Sequence, residues 1–148
     1  MTLVSHILED ARRRLAIVNR NASMVEVAAI LADPKTPLAV VCDEAGVAIG
    51  VLSRMDVVKL FARATDASST TNAGSAMTQS FLACNEDQSL QLAWDALSGR
   101  GLRCAPVLDG SGRPVGVVHA RDLVRALLDE VTHEELLLRD YVLGVGYR

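Results

Sequence analysis

The sequence predicts an α/β (α+β) fold: two β-α-β-β-α repeats packed sheet to sheet about a pseudo-twofold axis, with a further helix at the C-terminus. Three observations lead there. Residues 19–62 align with residues 85–128 after a shift of 66 positions, with no gap. Each copy carries one amphipathic stripe, followed by two short β-branched runs around an Asp/Gly turn. Half of the 148 residues are hydrophobic but only 3% are aromatic, so the core is built from Val, Leu, Ala and Ile. Small aliphatics of that kind pack between helices and sheets.

The elements follow in order. The first strand of each copy is the weakest, LAIV (Leu15–Val18) and FLAC (Phe81–Cys84). Ser23 opens a helix, with Glu26 completing a capping box. Met24, Val27, Ala28 and Leu31 then form one apolar stripe, repeated by Leu90, Ala93, Trp94 and Leu97. Pro34 stops the first helix, and Gly99 and Gly101 stop the second. LAVVC and VAIGVL flank the turn DEAG, and CAPVL and VGVVH flank DGSG, so each pair reads as a hairpin. A second helix follows each hairpin, from Asp56 and from Asp122. The polar, small stretch Thr65–Gly74 reads as a linker. The division is repeat 1 at residues 1–66, repeat 2 at 67–132, and a helix and tail at 133–148.

Composition excludes several function classes. A net charge of −3 argues against nucleic-acid binding. The apolar runs are too short to span a bilayer. Cys42, Cys84 and Cys104 show no C-x-x-C pair and read mainly as buried packing. With no cleavable apolar leader after Met1, the expected compartment is the cytoplasm. His6, His119 and His133 have no metal-ligand spacing, and there is no P-loop or G-x-G-x-x-G. An enzyme reading would rest on Asp56 or Asp122 as a base, and the expectation is no enzyme. The dense basic run Arg12–Arg14 reads as a solvated face, with a phosphate contact as the lesser option.

The chemistry-bearing feature is a doubled one: GVLSRMD (Gly50–Asp56) and GVVHARD (Gly116–Asp122). Structurally, Ser53 and Asp56 make a capping box, the carboxylate answering the helix dipole. Functionally, a carboxylate at a strand-to-helix turn facing a cleft accepts from two donors, as ribose hydroxyls are. Arg54 and Arg121 beside the aspartates, and Arg103 on the facing strand, can contact phosphate. Ala39 and Val40 in one copy, and Ala105, Pro106 and Val107 in the other, supply a small apolar floor for a purine.

These residues, with VSHIL (Val4–Leu8), GSAMT (Gly74–Thr78) and GLRCAPVLD (Gly101–Asp109), resemble a tandem CBS-domain pair, or Bateman module, of the stand-alone bacterial type. The resemblance covers residues 3–131. It implies a regulatory sensor that binds an adenosyl ligand between two repeats. AMP, ADP or ATP is favoured; NAD(H) or S-adenosylmethionine is possible. Carried over residue by residue, it picks Ser53, Asp56 and Asp122, with His119 standing where Ser or Thr is usual. Cys104 replaces the usual histidine, and Pro37 stands where Arg103 sits in the other copy. A ligand-free dimerisation module is the alternative. LLLRDYV in the tail resembles the C-terminal helix of such pairs, which dimerise through the helices after each hairpin. The stripe Leu136, Leu137, Tyr141 and Val142 is too apolar for a solvated end: it reads as core folded back on its own domain or, the favoured reading, as a contact with a second chain. The expected partners are a second copy and an unidentified regulated protein.

Overall fold

The computed structural model describes residues 2–63 and 71–146, with side chains to residue 140. A short 3-10 turn (Val4–Ile7) leads into α1 (Leu8–Arg13). Repeat 1 is β1 (Ala16–Asn19), α2 (Met24–Leu31), β2 (Leu38–Cys42), β3 (Ala48–Ser53) and α3 (Arg54–Ala62). A four-residue α4 (Ala73–Ala76) leads into repeat 2: β4 (Cys84–Asn85), α5 (Leu90–Gly99), β5 (Cys104–Leu108), β6 (Pro114–His119) and α6 (Ala120–Gly146). The expected linker lies outside the described residues up to residue 70. Its last residues belong to the lead-in of repeat 2.

Each repeat forms one sheet. β1 runs parallel to β2 and β2 antiparallel to β3, and β4, β5 and β6 repeat that order. The local hydrogen bonds repeat as well. Ser23 Oγ accepts from Glu26 N, and Ser89 Oγ from Leu92 N, both at 3.2 Å. Asp43 Oδ1 accepts from Ala45 and Val47 N, as Asp109 Oδ1 does from Ser111 and Arg113 N. These turns close on Gly46 and Gly112, at φ 81° and 85°, a backbone region that side chains disfavour. Register slips by one residue at the same place in each hairpin, Val41/Cys42 and Val107/Leu108.

Three expectations need correction. The two-way capping box forms at Ser53–Asp56; at Ser23 the side chain caps α2, but the structure shows no return bond from Glu26. The predicted strand at Phe81–Cys84 shrinks to Cys84–Asn85. The helices expected from Asp56 and Asp122 begin two residues earlier, and the last runs unbroken into the tail as a single 27-residue helix.

Three apolar clusters hold the fold. In one, Val18, Met24, Val27, Leu31, Ala39, Val41 and Leu52 pack between sheet 1 and its helices. Its counterpart in repeat 2 contains Leu90, Ala93, Leu97, Ala105, Val107 and Val118. The third lies between the sheets, where Leu38, Val40 and Cys42 meet Val117. Alternation along β2 sends Ala39 and Val41 to the helices and Leu38, Val40 and Cys42 to the other sheet.

The lead-in segments cross over. Val4, Leu8 and Ala11 belong to the repeat 2 cluster, and Ala73 to that of repeat 1. Backbone bonds fix both crossings: Val4 N to Gln88 O, Ser5 N to Glu86 O, Ala73 N to Ala22 O and Gly74 N to Arg20 O, at 2.8–2.9 Å. Each core thus takes chain from both sides of residue 66. The crossings need glycine in the third strands. A Cβ at Gly116 would lie 2.8 Å from Ala11 Cβ and 3.0 Å from its carbonyl carbon. At Gly50 it would strike the Met77 side chain, and Met77 is the residue 66 places after Ala11. Methionine can swing aside, whereas the α1 backbone cannot. Gly116→Ala is expected to destabilise by about 1–3 kcal/mol and Gly50→Ala by less, checked by chemical denaturation; equal losses would contradict the crossing contact.

Candidate functional site

Where each lead-in segment crosses, it leaves a cleft beside the helix start of the opposite hairpin. The first cavity, about 500 Å³, holds Asp56. Ser53, Leu38 and Val51 come from repeat 1, and Cys104 and Pro106 from β5. Thr78, Ser80, Phe81 and Leu82 form a wall, with Arg100 and Leu102 at the turn after α5. That wall exists because β4 is short: Thr78 is bridged to Val51 of β3, and residues 79–83 then run free of the sheet instead of pairing along β5.

Asp56 is half committed. Its Oδ2 accepts from Ser53 N at 2.8 Å and Ser53 Oγ at 3.1 Å. Ser53 Oγ in turn accepts from Asp56 N at 3.3 Å. Among the described residues, Oδ1 accepts no hydrogen bond. The capping role and an open acceptor position therefore coexist on one carboxylate.

The second cavity, about 510 Å³, is the symmetry counterpart and has different chemistry. Asp10, Arg13 and Arg14 come from the crossing segment, Pro34, Lys35 and Pro37 from the turn after α2, and Arg54, His119 and Arg121 from the helix starts. Asp122 is only 9% exposed, with an Arg14 Nη1–Oδ2 ion pair laid over it. The residue 66 places after Arg14 is Ser80, which lines the first cavity. One position thus decides whether the aspartate faces a cavity or a guanidinium.

His119 takes the place of Ser53. Its Nδ1 accepts from Arg121 N at 3.0 Å, so the ring caps α6. Burial first, then the positive charge of Arg121, hold its pKa below the ordinary 6.5, against the opposing pull of Asp122. The imidazole is therefore neutral at neutral pH.

The other predicted residues divide. Pro106 lines the Asp56 cavity. Ala39 and Val40 do not: they are fully buried, facing opposite sides of β2, in the helix-side and inter-sheet cores. Leu38 and Val51 supply apolar wall in their place. Arg54 lines the second cavity rather than the Asp56 cavity. Its Nε donates to Leu31 O at 2.7 Å and its Nη2 to Asp33 O and Thr36 O, tying down the end of α2. Arg103 is exposed and lines neither cavity; its carbonyl accepts from Ala120 N. The basic run Arg12–Arg14, read as a solvated face, needs correction at Arg14, whose side chain is largely covered and paired with Asp122. Phe81 and Leu82, read as strand, are cavity wall, and the 66-residue offset that aligned the aspartates also aligns Arg14 with Ser80.

No thiol is activated. Cys104, beside the first cavity, has its pKa raised chiefly by burial, and burial pushes Cys84 up to about 11. A third hollow of about 600 Å³ near Arg20, Asn21 and Asn72 holds none of the predicted residues, and Arg20 is already paired with Glu44 at 2.8 Å. Among the described residues, no helix is long and apolar enough to cross a membrane.

Two intertwined repeats with a cleft at each crossing define the class, and comparison with known proteins agrees. The CBS domain model matches residues 4–63 and 73–129. The chain belongs to the CBS domain family and is a tandem CBS pair. It is similar to the CBS-domain containing protein ATU1752 from Agrobacterium tumefaciens, at 29% identity and TM-score 0.71, covering 84% of this chain and 98% of that one. Its fold is also that of CBSX2 from Arabidopsis thaliana, a protein solved in complex with AMP. There the identity is 24% and the TM-score 0.74, over 87% of this chain and 98% of the other. The CBS pair of MJ0100, solved with 5-methylthioadenosine and S-adenosyl-L-methionine, matches at 24% identity and TM-score 0.73, over 88% and 98%.

Removing one partner of a poorly exposed ion pair leaves the other charge uncompensated. Arg14→Met is expected to cost about 3 kcal/mol of stability, and adding Asp122→Asn to it should restore much of that loss. Urea denaturation of the single and double variants checks this; additive losses would mean that the two side chains do not act as a pair.

Proposed function

We propose that this CBS pair is a non-enzymatic regulatory module that binds an adenosyl ligand, AMP, ADP or ATP first, in the cavity at Asp56. The observation that carries this is the pairing of an open carboxylate position with an apolar enclosure. Ribose hydroxyls can donate to Asp56 Oδ1, with Ser53 adjacent, and a purine can lie against Leu38, Val51 and Pro106. Arg100 at the same rim offers a charge-assisted contact to phosphate. Relatives solved with AMP, and with 5-methylthioadenosine and S-adenosyl-L-methionine, support the ligand class. The ligand contacts both repeats, so it favours the relative orientation that it binds better, and a protein partner can respond to that shift.

Calorimetric titration with AMP tests the site. Asp56→Asn is expected to weaken binding by about 1.5–3 kcal/mol for each lost charged hydrogen bond, roughly 10- to 150-fold. Asp122→Asn should change it little, because Asp122 already answers Arg14. Loss at Asp122 and none at Asp56 would overturn this assignment. Unchanged binding in both variants, with lower melting temperatures, would leave the aspartates as helix caps.

We infer further that the working unit is a homodimer. Residues 131–140 of α6 are exposed at every position, and Leu136, Leu137 and Leu138 are 51–65% exposed. An isolated helical stretch of that length is marginal in water without packing. A second copy would bring an identical stripe, while Met55 and Val58 on α3 add further apolar surface. Tyr141 and Val142 of the same predicted stripe lie outside the described side chains. Light scattering is expected to give twice the monomer mass for the wild type and the monomer mass for Val131→Glu with Leu138→Glu. A wild-type monomer at micromolar concentration would contradict the inferred contact.

A further inference from the structure

We propose that the second cavity is an oligophosphate site, one that recognises a chain of phosphates and from whose lining the aspartate of its own repeat, Asp122, is withdrawn. The two cavities are nearly equal in volume, 500 and 510 Å³, but opposite in chemistry. The first has one lining cation, Arg100, one lining carboxylate, and apolar walls. The second is lined by Arg13, Arg14, Lys35, Arg54 and Arg121, with Asp10 as its lining carboxylate.

Internal pairing leaves a clear surplus. Arg14 is balanced by Asp122, and Arg13 by Glu9 and Asp10 at 3.3 and 3.5 Å. Among the described residues, Lys35, Arg54 and Arg121 have no carboxylate partner. Arg54 spends Nε and Nη2 on backbone carbonyls, which fixes its position while keeping its charge. Three unmatched cations from three separate elements thus converge on one concave, partly enclosed space. Such a space concentrates positive potential and attracts multivalent anions. A chain of two or three phosphates carries more charge than a single phosphate and offers more oxygens for charge-assisted bonds to these groups. Asp122, paired through Oδ2 with Arg14, does not line this cavity, whereas its counterpart Asp56 lines the first.

The proposal stands whatever fills the Asp56 cavity. Its test is calorimetric titration of the full chain with sodium tripolyphosphate, with adenosine and ATP as separate arms. Tripolyphosphate is expected to bind one per chain and to weaken markedly between 50 and 200 mM salt. Lys35→Gln with Arg121→Gln, both at exposed positions, should weaken it at least tenfold and leave the melting temperature of the unliganded protein nearly unchanged. Asp56→Asn should leave tripolyphosphate binding unchanged, and adenosine binding should survive the double variant. Displacement of tripolyphosphate by ATP would identify the phosphate tail of a nucleotide as the source; no displacement by ATP would identify a free oligophosphate. No tripolyphosphate binding, or binding that persists in the double variant, would overturn the proposal. Failure of adenosine to bind, with tripolyphosphate binding intact, would count against the adenosyl reading alone.

Discussion

Each sheet of this chain has three strands, one of them only two to four residues long, and its own two helices leave part of its surface uncovered. The chain resolves that shortage by crossing. Residues 3–11 finish the core of the second repeat and residues 71–77 that of the first. The close approach at Gly116 and Gly50 is the condition for both crossings. Once the segments cross, each must run past the helix start of the opposite hairpin. A cleft at that passage follows from the topology, and the repeated strand ending GVLSRMD and GVVHARD puts an aspartate at the helix start beside each.

Given two equivalent clefts, side chains at one offset pair make them different. Ser80 leaves Asp56 beside open space, whereas Arg14 covers Asp122. The exchange of Ser53 for His119 moves the same way. A hydroxyl that both donates and accepts is replaced by a neutral ring whose Nδ1 is used in capping α6. The shortened β4 leaves Leu82 free to line the first cleft, whereas β1, paired over four residues, holds the counterpart Ala16 in the sheet. The duplication therefore supplies two compartments, one apolar with a carboxylate, the other cationic.

The repeat, the hairpins, the buried helical stripes and the CBS resemblance were all legible in the sequence, because they rest on local periodicity and on a gapless offset. Asp56, Ser53 and Pro106 were legible for the same reason: each sits at a fixed place in a repeated motif. The crossing of the lead-in segments was not, since nothing local says which sheet Val4 or Ala73 will cover. Arg14 therefore read as part of a solvated basic face, because its partner Asp122 is 108 positions away across that crossing. Ala39 and Val40 failed as a shared floor for a simpler reason. Neighbours on a strand face opposite sides, so two consecutive residues cannot both line one pocket. Arg54 looked like a free cation beside Asp56, but the open end of α2 supplies three carbonyls that hold it.

The central claim is that one symmetric fold carries two chemically distinct clefts. Backbone amide chemical-shift mapping with AMP tests it most directly. The account predicts shifts concentrated at Ser53, Thr78, Phe81, Leu82 and Cys104, with the amides of Lys35 and Arg121 perturbed less. Equal perturbation of both sets at low ligand occupancy, or shifts confined to the Arg121 side, would contradict it.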